Sequence, residues 1–165
     1  MRRSALAALA LAALAGAATA QDGGEALPLV DHVVVDKSER TLTAYAQGKP
    51  LRTIEGIQLG DAPVGHKRFQ GDERTPEGRY VIDWGNPRSA YTLSLHISYP
   101  NAADRAYAAS LGRDPGGMIM IHGQPTGMAG RMAGDWTDGC IAVSNEEIAW
   151  LWQTVPDGAV IDITS

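Results

Sequence analysis

The sequence predicts a mainly β domain, either a sandwich or a partly closed barrel, with one or two short helices packed against it. Three observations lead to this fold class. The 165 residues include 19 glycines and 9 prolines, which divide the chain into many short segments. Most of these segments are rich in β-branched residues and partly alternate between apolar and polar positions. Only two stretches have the signals of a helix.

The first half of the domain is predicted to begin with antiparallel strands joined by tight turns. Three segments have the strand pattern: residues 32–36, 40–46 and 51–59. Residues 60–78 contain Gly, Pro and charged residues with little periodicity, which predicts a long loop of the kind that usually serves function. The strand pattern returns in residues 79–84 and 91–97, on either side of a turn predicted at residues 85–87.

Two helices are predicted in the second half. Asn101 can cap a short helix that Gly112 ends. Ser144 and Glu147 form a capping box, and apolar residues then recur at helical spacing. The second segment is therefore predicted to be an amphipathic helix.

The remaining elements of the second half are two strands and a loop. Residues 118–122 form an apolar strand that leads into a loop rich in Gly and Met, residues 123–134. A Pro-Asp-Gly turn precedes the last strand, residues 159–163.

Composition limits the class of protein. About 145 residues remain without the first 20, which is the usual size of one domain, and 44% apolar residues are enough for a packed core. The net charge of −5 argues against a nucleic-acid partner, because proteins that bind the phosphate backbone concentrate positive charge.

The N-terminus has the pattern of a signal peptide. Arg2 and Arg3 precede an apolar run, and small residues lead to Ala20. The run is shorter than the ~20 residues of a membrane span, so a membrane anchor or a disordered tail is the weaker alternative. We expect a signal peptide over residues 1–20, a lead-in over 21–30 and one domain over 31–165. The protein is then exported to the periplasm or cell envelope without stable membrane insertion.

Cys140 is the only cysteine, which is unusual for an exported protein. His122 lies 18 positions earlier, across a loop that can fold back. It could take the thiol proton, giving a thiolate at neutral pH, and later return the proton to a leaving amine. Gly139 would let backbone N–H groups approach a substrate carbonyl. A buried, inert cysteine and a core histidine are the alternatives that the residues alone leave open.

A zinc site is a further alternative, since four potential ligands are present: His96, His122, Asp138 and Cys140. No pair has a short metal-binding spacing such as C-x2-C or HExxH. The sequence therefore predicts no metal and no cofactor.

Three motifs resemble those of a known family. Ile-His-Gly at residues 121–123 is followed by Thr-Asp-Gly-Cys-Ile at 137–141, and Thr-Pro-Glu-Gly-Arg-Tyr lies upstream at 75–80. In order and spacing they resemble the signature of the L,D-transpeptidase (YkuD-type) catalytic domain. The stretches SLHISYPNAADR, DPGGMIMIHG and DWTDGCIAVSNEEI are similar to its YafK-like branch. The resemblance covers roughly residues 31–163 and implies the mainly β fold of that family.

The resemblance also implies the roles of the site residues. Cys140 would be the nucleophile, and His122 the general base and acid, its ring held by the backbone carbonyl of Gly123. Backbone N–H groups of Gly139 and Cys140, with Thr137, would bind the oxyanion.

The implied substrates are the stem peptides of peptidoglycan. The thiolate would attack the carbonyl of the third residue, usually a diamino acid, and release the terminal D-alanine. Transfer to an amine would form a cross-link, which is the reaction we favour. Transfer to water would instead make the enzyme a peptidase or amidase, with a wall-linked protein as a possible substrate or acceptor. A non-catalytic cell-wall binding module is the remaining alternative.

Other residues are weaker candidates. His96, Arg131 and Met128 are tentative substrate-binding residues. The loop cations Lys67, Arg68, Arg74 and Arg131 could meet substrate carboxylates, although such cations are more often only solvated. Asp138 replaces the family's histidine before Gly-Cys, and we expect its carboxylate to point away from the sulfur. Met132 could line an adaptable groove together with Met128. The strand tyrosines and the tryptophans of the second helix are predicted mainly to pack: Tyr45, Tyr80, Tyr91, Trp150 and Trp152.

Overall fold

A computed structural model describes residues 27–165 of the chain. The predicted signal peptide and most of the lead-in lie outside the described residues. The described part contains eight strands and two helices, with these bounds: β1 (His32–Asp36), β2 (Thr41–Ala46), β3 (Lys49–Glu55), β4 (Gly78–Asn86), β5 (Ser94–Ile97), α1 (Ala102–Ser110), β6 (Met120–His122), β7 (Ile141–Ala142), α2 (Asn145–Thr154) and β8 (Ala159–Thr164).

The strands form one mixed sheet in the order β3-β2-β1-β8-β4-β5-β6-β7. β1 pairs in parallel with β8, and β6 with β7, whereas the other neighbours are antiparallel. The two ends of the sheet approach each other, because Gln58, just after β3, exchanges backbone hydrogen bonds of 2.8 and 2.9 Å with Ala142 of β7. The mainly β fold is thus confirmed, and of the two predicted architectures it is the partly closed barrel.

The core lies inside the curved sheet and under α2. Residues of β1 and β2 alternate between buried and partly exposed, as the period of a half-buried strand requires. Helix α2 begins at the predicted capping box and buries Ile148 and Leu151 against the sheet. Trp150 and Trp152 are partly buried against this core, in the packing role predicted for them. Neither helix of the described part is long and apolar enough to cross a membrane.

Local predictions differ from the structure in several places. The third strand, predicted over residues 51–59, spans Lys49–Glu55, and the strand predicted over 118–122 begins at Met120. Residues 85 and 86 continue β4 and make no turn, because the missing side chain of Gly85 lets Trp152 pack against the strand: a Cβ there would lie 2.5 Å from the indole. Tyr91 precedes β5 and is outside the strand. The two-residue strand β7 was not predicted, since it is too short for a periodic pattern and pairs only through long-range contacts.

The long loop between β3 and β4, residues 56–77, is held in place by hydrogen bonds from a buried lysine. Lys37 donates hydrogen bonds to the carbonyls of Gly65 and Thr75, at 2.7 and 3.1 Å, and pairs with Glu77 at 2.8 Å. A buried ammonium needs such partners to offset its lost hydration. The loop is therefore fixed along the side of the barrel where it meets the segment before β7.

Candidate active site

Cys140 follows a tight turn that enters β7. The Thr137 hydroxyl donates to the Cys140 carbonyl at 2.7 Å and accepts the Gly139 N–H at 3.2 Å. Gly139 has φ of 120°, and a Cβ there would lie 2.5 Å from the carbonyl oxygen of Arg74. A side chain at this position is excluded by both the backbone conformation and the close approach of the long loop. The turn therefore fixes the backbone of Cys140.

His122 ends β6 and is 3% exposed. Its Nδ1 lies 2.6 Å from the carbonyl oxygen of Gly123, the contact that the family resemblance implies. A carbonyl can only accept, so Nδ1 bears the hydrogen and Nε2 of the neutral ring is an acceptor. Gly123 must lack a side chain, because a Cβ would lie 2.7 Å from the Asn145 side-chain oxygen and 2.9 Å from Ile148.

Two aromatic rings pack around the His122 imidazole. The ring of Tyr91 lies 4.6 Å from it and that of Trp136 lies 5.5 Å from it, centroid to centroid. The two aromatic rings also contact each other at 5.6 Å. Sequence reasoning assigned Tyr91 to packing and missed Trp136, although the position of this tryptophan directly before Thr137 was the available signal. Together the rings restrict rotation of the imidazole and access of water.

Cys140 and His122 line one cavity of about 330 Å³, together with Tyr91, Trp136 and Met118. The sulfur accepts a hydrogen bond from the Met120 N–H at 3.4 Å and lies 3.6 Å from the Met118 carbonyl oxygen. The structure therefore brings together the two residues that the sequence predicted as nucleophile and base, and the cavity is where a substrate carbonyl can reach the sulfur.

Burial sets the protonation of both groups. It lowers the pKa of His122 below the ordinary 6.5, against the opposing effect of the Gly123 carbonyl. Burial also raises the pKa of Cys140 above 9.0, as does the negative charge of Asp138, while the Met120 N–H and Lys67 act in the opposite direction. Both directions favour a thiol and a neutral imidazole at neutral pH, in place of the thiolate expected from the sequence.

These directions predict the pH dependence of kcat/KM. In the reaction that the family resemblance implies, a neutral imidazole takes the thiol proton, so the acidic limb of the profile is expected to have its midpoint below pH 6.5. Loss of the thiol proton removes the proton needed by the leaving amine, so the alkaline limb lies above pH 9.0. We expect a plateau between these limbs in a profile measured with stem peptides. A rate that declines steadily from pH 8 to pH 6.5 would contradict the neutral pair.

The oxyanion roles predicted for Gly139 and Thr137 need correction. The Gly139 N–H already donates to the Thr137 hydroxyl, whose own hydrogen is used by the Cys140 carbonyl. Neither group is free to bind an oxyanion without breaking the turn. Both residues hold the nucleophile in position in this structure.

The three tentative substrate-binding residues lie outside the cavity that contains Cys140. His96 pairs with Asp83 at 2.6 Å and stacks on a neighbouring tryptophan. Arg131 pairs with Glu147 at 2.5 Å and binds a backbone carbonyl after β3. Met128 is exposed, and its carbonyl accepts a hydrogen bond from the first turn of α2. None of the three lines that cavity.

The potential zinc ligands are also separated, because His96 faces Asp83 and not the site of Cys140. Within residues 27–165, no three His, Cys, Asp or Glu side chains are grouped so that they could hold a metal ion.

Asp138 is exposed and lines the same cavity as Cys140. Because its charge raises the thiol pKa, Asp138→Asn is expected to lower that pKa and to speed alkylation by iodoacetamide at pH 8. Asp138 transfers no proton in the mechanism that the family resemblance implies. Asp138→Asn should therefore change kcat/KM on stem peptides by less than tenfold. A hundredfold loss of kcat in the asparagine variant, with KM unchanged, would show that Asp138 takes part in catalysis.

Comparison with known proteins gives consistent matches. The model of the YkuD family, the L,D-transpeptidase catalytic domain, matches residues 30–163. YafK of Escherichia coli (strain K12) is 30% identical over 135 residues, which are 79% of this chain and 48% of YafK. The chain thus spans about half the length of that curated relative.

Solved structures show the same fold. The helical cell shape determining protein Pgp2 from Campylobacter jejuni has a TM-score of 0.66 and 25% identity, covering 87% of this chain and 52% of Pgp2. An L,D-transpeptidase from Xylanimonas cellulosilytica has a TM-score of 0.54 and 16% identity, covering 83% of this chain and 61% of that structure. The family resemblance of the three motifs is confirmed: the chain belongs to the YkuD family of L,D-transpeptidase catalytic domains.

Proposed function

We propose that this chain is an exported cysteine acyltransferase that cross-links peptidoglycan stem peptides. One observation carries the proposal: the only cysteine shares a cavity with a buried imidazole whose hydrogen bond to Gly123 leaves Nε2 as a proton acceptor. Membership of the L,D-transpeptidase family supports the substrate class. The reaction uses only groups of this chain, with no cofactor.

Acylation starts when Nε2 of His122 takes the thiol proton as the sulfur of Cys140 attacks the carbonyl carbon of the third stem residue. The new C–S bond moves the carbonyl electrons onto oxygen. Within residues 27–165, the Cys140 N–H has no hydrogen-bond acceptor, whereas the Gly139 N–H is bonded to Thr137. The Cys140 N–H is therefore the backbone donor that can bind this oxyanion. Collapse breaks the C–N bond, and the imidazolium gives its proton to the departing D-alanine.

Deacylation reverses these steps with a second nucleophile. An acceptor amine attacks the thioester carbon, His122 takes a proton from that amine, and the C–S bond breaks as the thiol is protonated again. The wall of Tyr91, Trp136 and Met118 keeps the thioester partly shielded from water, which supports transfer to an amine.

Hydrolysis is the second candidate, and a specific observation favours it. A larger cavity of about 640 Å³ adjoins the site, and four of its nine lining residues are charged. Such a lining can admit water to the thioester, so the product would be a shortened stem or a wall-linked protein released from its stem.

Export rests on the N-terminal sequence. The pattern of residues 1–20 supports cleavage after Ala20 and delivery to the periplasm or cell envelope, where stem peptides and wall-linked proteins are found. We accordingly take the catalytic domain to be residues 31–165, after a short lead-in over 21–30.

The test is incubation of the purified protein with cell-wall sacculi that bear a wall-linked protein, followed by separation of the muropeptides. New cross-links together with released D-alanine would support transpeptidation. Shortened stems or freed protein without new cross-links would replace it by hydrolysis. No change in the muropeptides, with no acyl-enzyme in intact-mass spectra, would overturn both candidates.

A further inference from the structure

The cavity that contains Cys140 continues into a larger chamber. This chamber measures about 640 Å³ and shares three lining residues with the first cavity: Gly117, Met118 and Asp138. A substrate bonded to the sulfur of Cys140 therefore has room for its neighbouring groups in the chamber. The assignment of a part of the stem peptide to this chamber rests on the proposed function.

Lys67 lines the chamber although it is only 3% exposed. Its ammonium donates to the Phe69 carbonyl at 3.1 Å and to the Asp72 carboxylate at 2.9 Å. These two bonds fix the ammonium and, among the described residues, leave one of its three N–H groups for a ligand. Its positive charge reaches the reacting sulfur, since it acts to lower the thiol pKa of Cys140.

Asp72 only partly neutralises this charge. Besides Lys67, the Asp72 carboxylate accepts the backbone N–H groups of Arg68, Phe69 and Arg74, at 2.6, 3.0 and 3.2 Å. Its negative charge is therefore shared among several donors of the loop. The pair with Asp72 accounts for the burial of Lys67, and Lys67 is at the same time one of the residues that line the chamber.

The other charged groups of the chamber are acidic: Glu73, Asp114 and Asp138. Asp114 accepts the Gly116 N–H at 2.8 Å, which fixes its position, while Glu73 and Asp138 are exposed. The three acidic side chains of this lining would repel a ligand that carries a carboxylate alone. A group with an ammonium and a carboxylate on the same carbon fits these charges better, because the carboxylate of the ligand can bind Lys67 while the ammonium of the ligand lies near the acidic side chains.

We propose that Lys67 is a specificity-determining residue that binds the carboxylate of an α-amino-acid end group in this chamber. In a stem peptide, such an end group occurs on the side chain of a third residue that is a diamino diacid. A third-residue lysine ends in an amine alone. The terminal alanine differs as well, because its amine is part of the peptide bond that is cleaved.

The experiment compares four tetrapeptide stems that differ only in their carboxylates. One has a diamino diacid as its third residue, the second has the side-chain carboxylate of that residue amidated, the third has lysine in its place, and the fourth has the C-terminal carboxylate amidated. The wild-type protein should process the second and third peptides with kcat/KM about 10- to 100-fold below the first, mainly through KM, as loss of a charged hydrogen bond requires.

Lys67→Met should reduce kcat/KM on the first peptide to the level of the second, so that their ratio approaches one. Lys49→Met, on exposed β3, is the matched control and should leave the wild-type ratio unchanged. The comparison of peptides on the wild-type protein needs no variant and shows by itself whether the side-chain carboxylate is recognised. If Lys67→Met does not fold, Lys67→Arg, which keeps the charge next to Asp72, tests the residue through a changed ratio of the first two peptides.

Three outcomes would overturn the inference. The first is equal kcat/KM for the first two peptides on the wild-type protein. The second is a ratio of these two values that stays unchanged in folded Lys67→Met. The third is a loss confined to the C-terminally amidated peptide and removed by Lys67→Met, which would assign Lys67 to the terminal carboxylate. Absence of an acyl-enzyme with all four peptides would instead refute the proposed function itself.

Discussion

Cys140→Ala is expected to abolish turnover of stem peptides, with a loss of about 10⁴-fold or more. No other thiol exists in the chain, so no residue can replace the sulfur in the thioester. Intact-mass spectra of the variant with substrate should lack the acyl-enzyme, and a thiol label should no longer bind.

The control for this variant is its thermal unfolding. The Cys140 side chain is partly exposed, and its backbone is held by Thr137 and the Gly139 turn, which the substitution leaves unchanged. We therefore expect a folded protein with a circular dichroism spectrum like that of the wild type. Wild-type turnover in the alanine variant would refute the covalent mechanism.

His122→Gln is expected to lower kcat/KM by about 10²- to 10⁴-fold, the usual contribution of acid-base catalysis. Glutamine can fill part of the space of the imidazole, but it cannot take the thiol proton or return one to the leaving amine. The acidic limb of the pH profile, which we assign to His122, should vanish with it. Stopped-flow measurement of acyl-enzyme formation separates this step from deacylation.

His32→Gln is a matched control, because this partly exposed histidine pairs with Asp162 on the sheet and lies outside the cavity lining. It should keep kcat/KM within about twofold of the wild type, as expected for a site away from the chemistry. If His122→Gln also stays within that range, or keeps the wild-type acidic limb, another residue is the base.

Much of the fold and the central pair of the site could be predicted because their signals lie in short stretches of chain. Strand β1 and both helix starts agree with the structure, since alternation and capping depend on neighbouring residues. The motifs around His122 and Cys140 are likewise short, and they were sufficient to indicate the family to which the chain belongs.

The tertiary structure decided what depends on residues distant in the chain. The last strand, β8, lies between β1 and β4, which no local pattern indicates. The Gly139 N–H, predicted to bind the oxyanion, instead donates a hydrogen bond to Thr137. Arg131, predicted to bind substrate, instead pairs with Glu147 of α2, away from Cys140.

The sequence by itself determined the residue types of the site, namely one thiol, one imidazole at the end of a strand, and a glycine directly before the thiol. Only the tertiary structure decided their chemical state and surroundings. Burial favours the neutral forms of His122 and Cys140, and the folded loop makes Lys67 part of the lining of the chamber that adjoins the thiol. The physical reason is that desolvation and electrostatic interaction depend on distance in space, which a residue's neighbours in sequence do not fix.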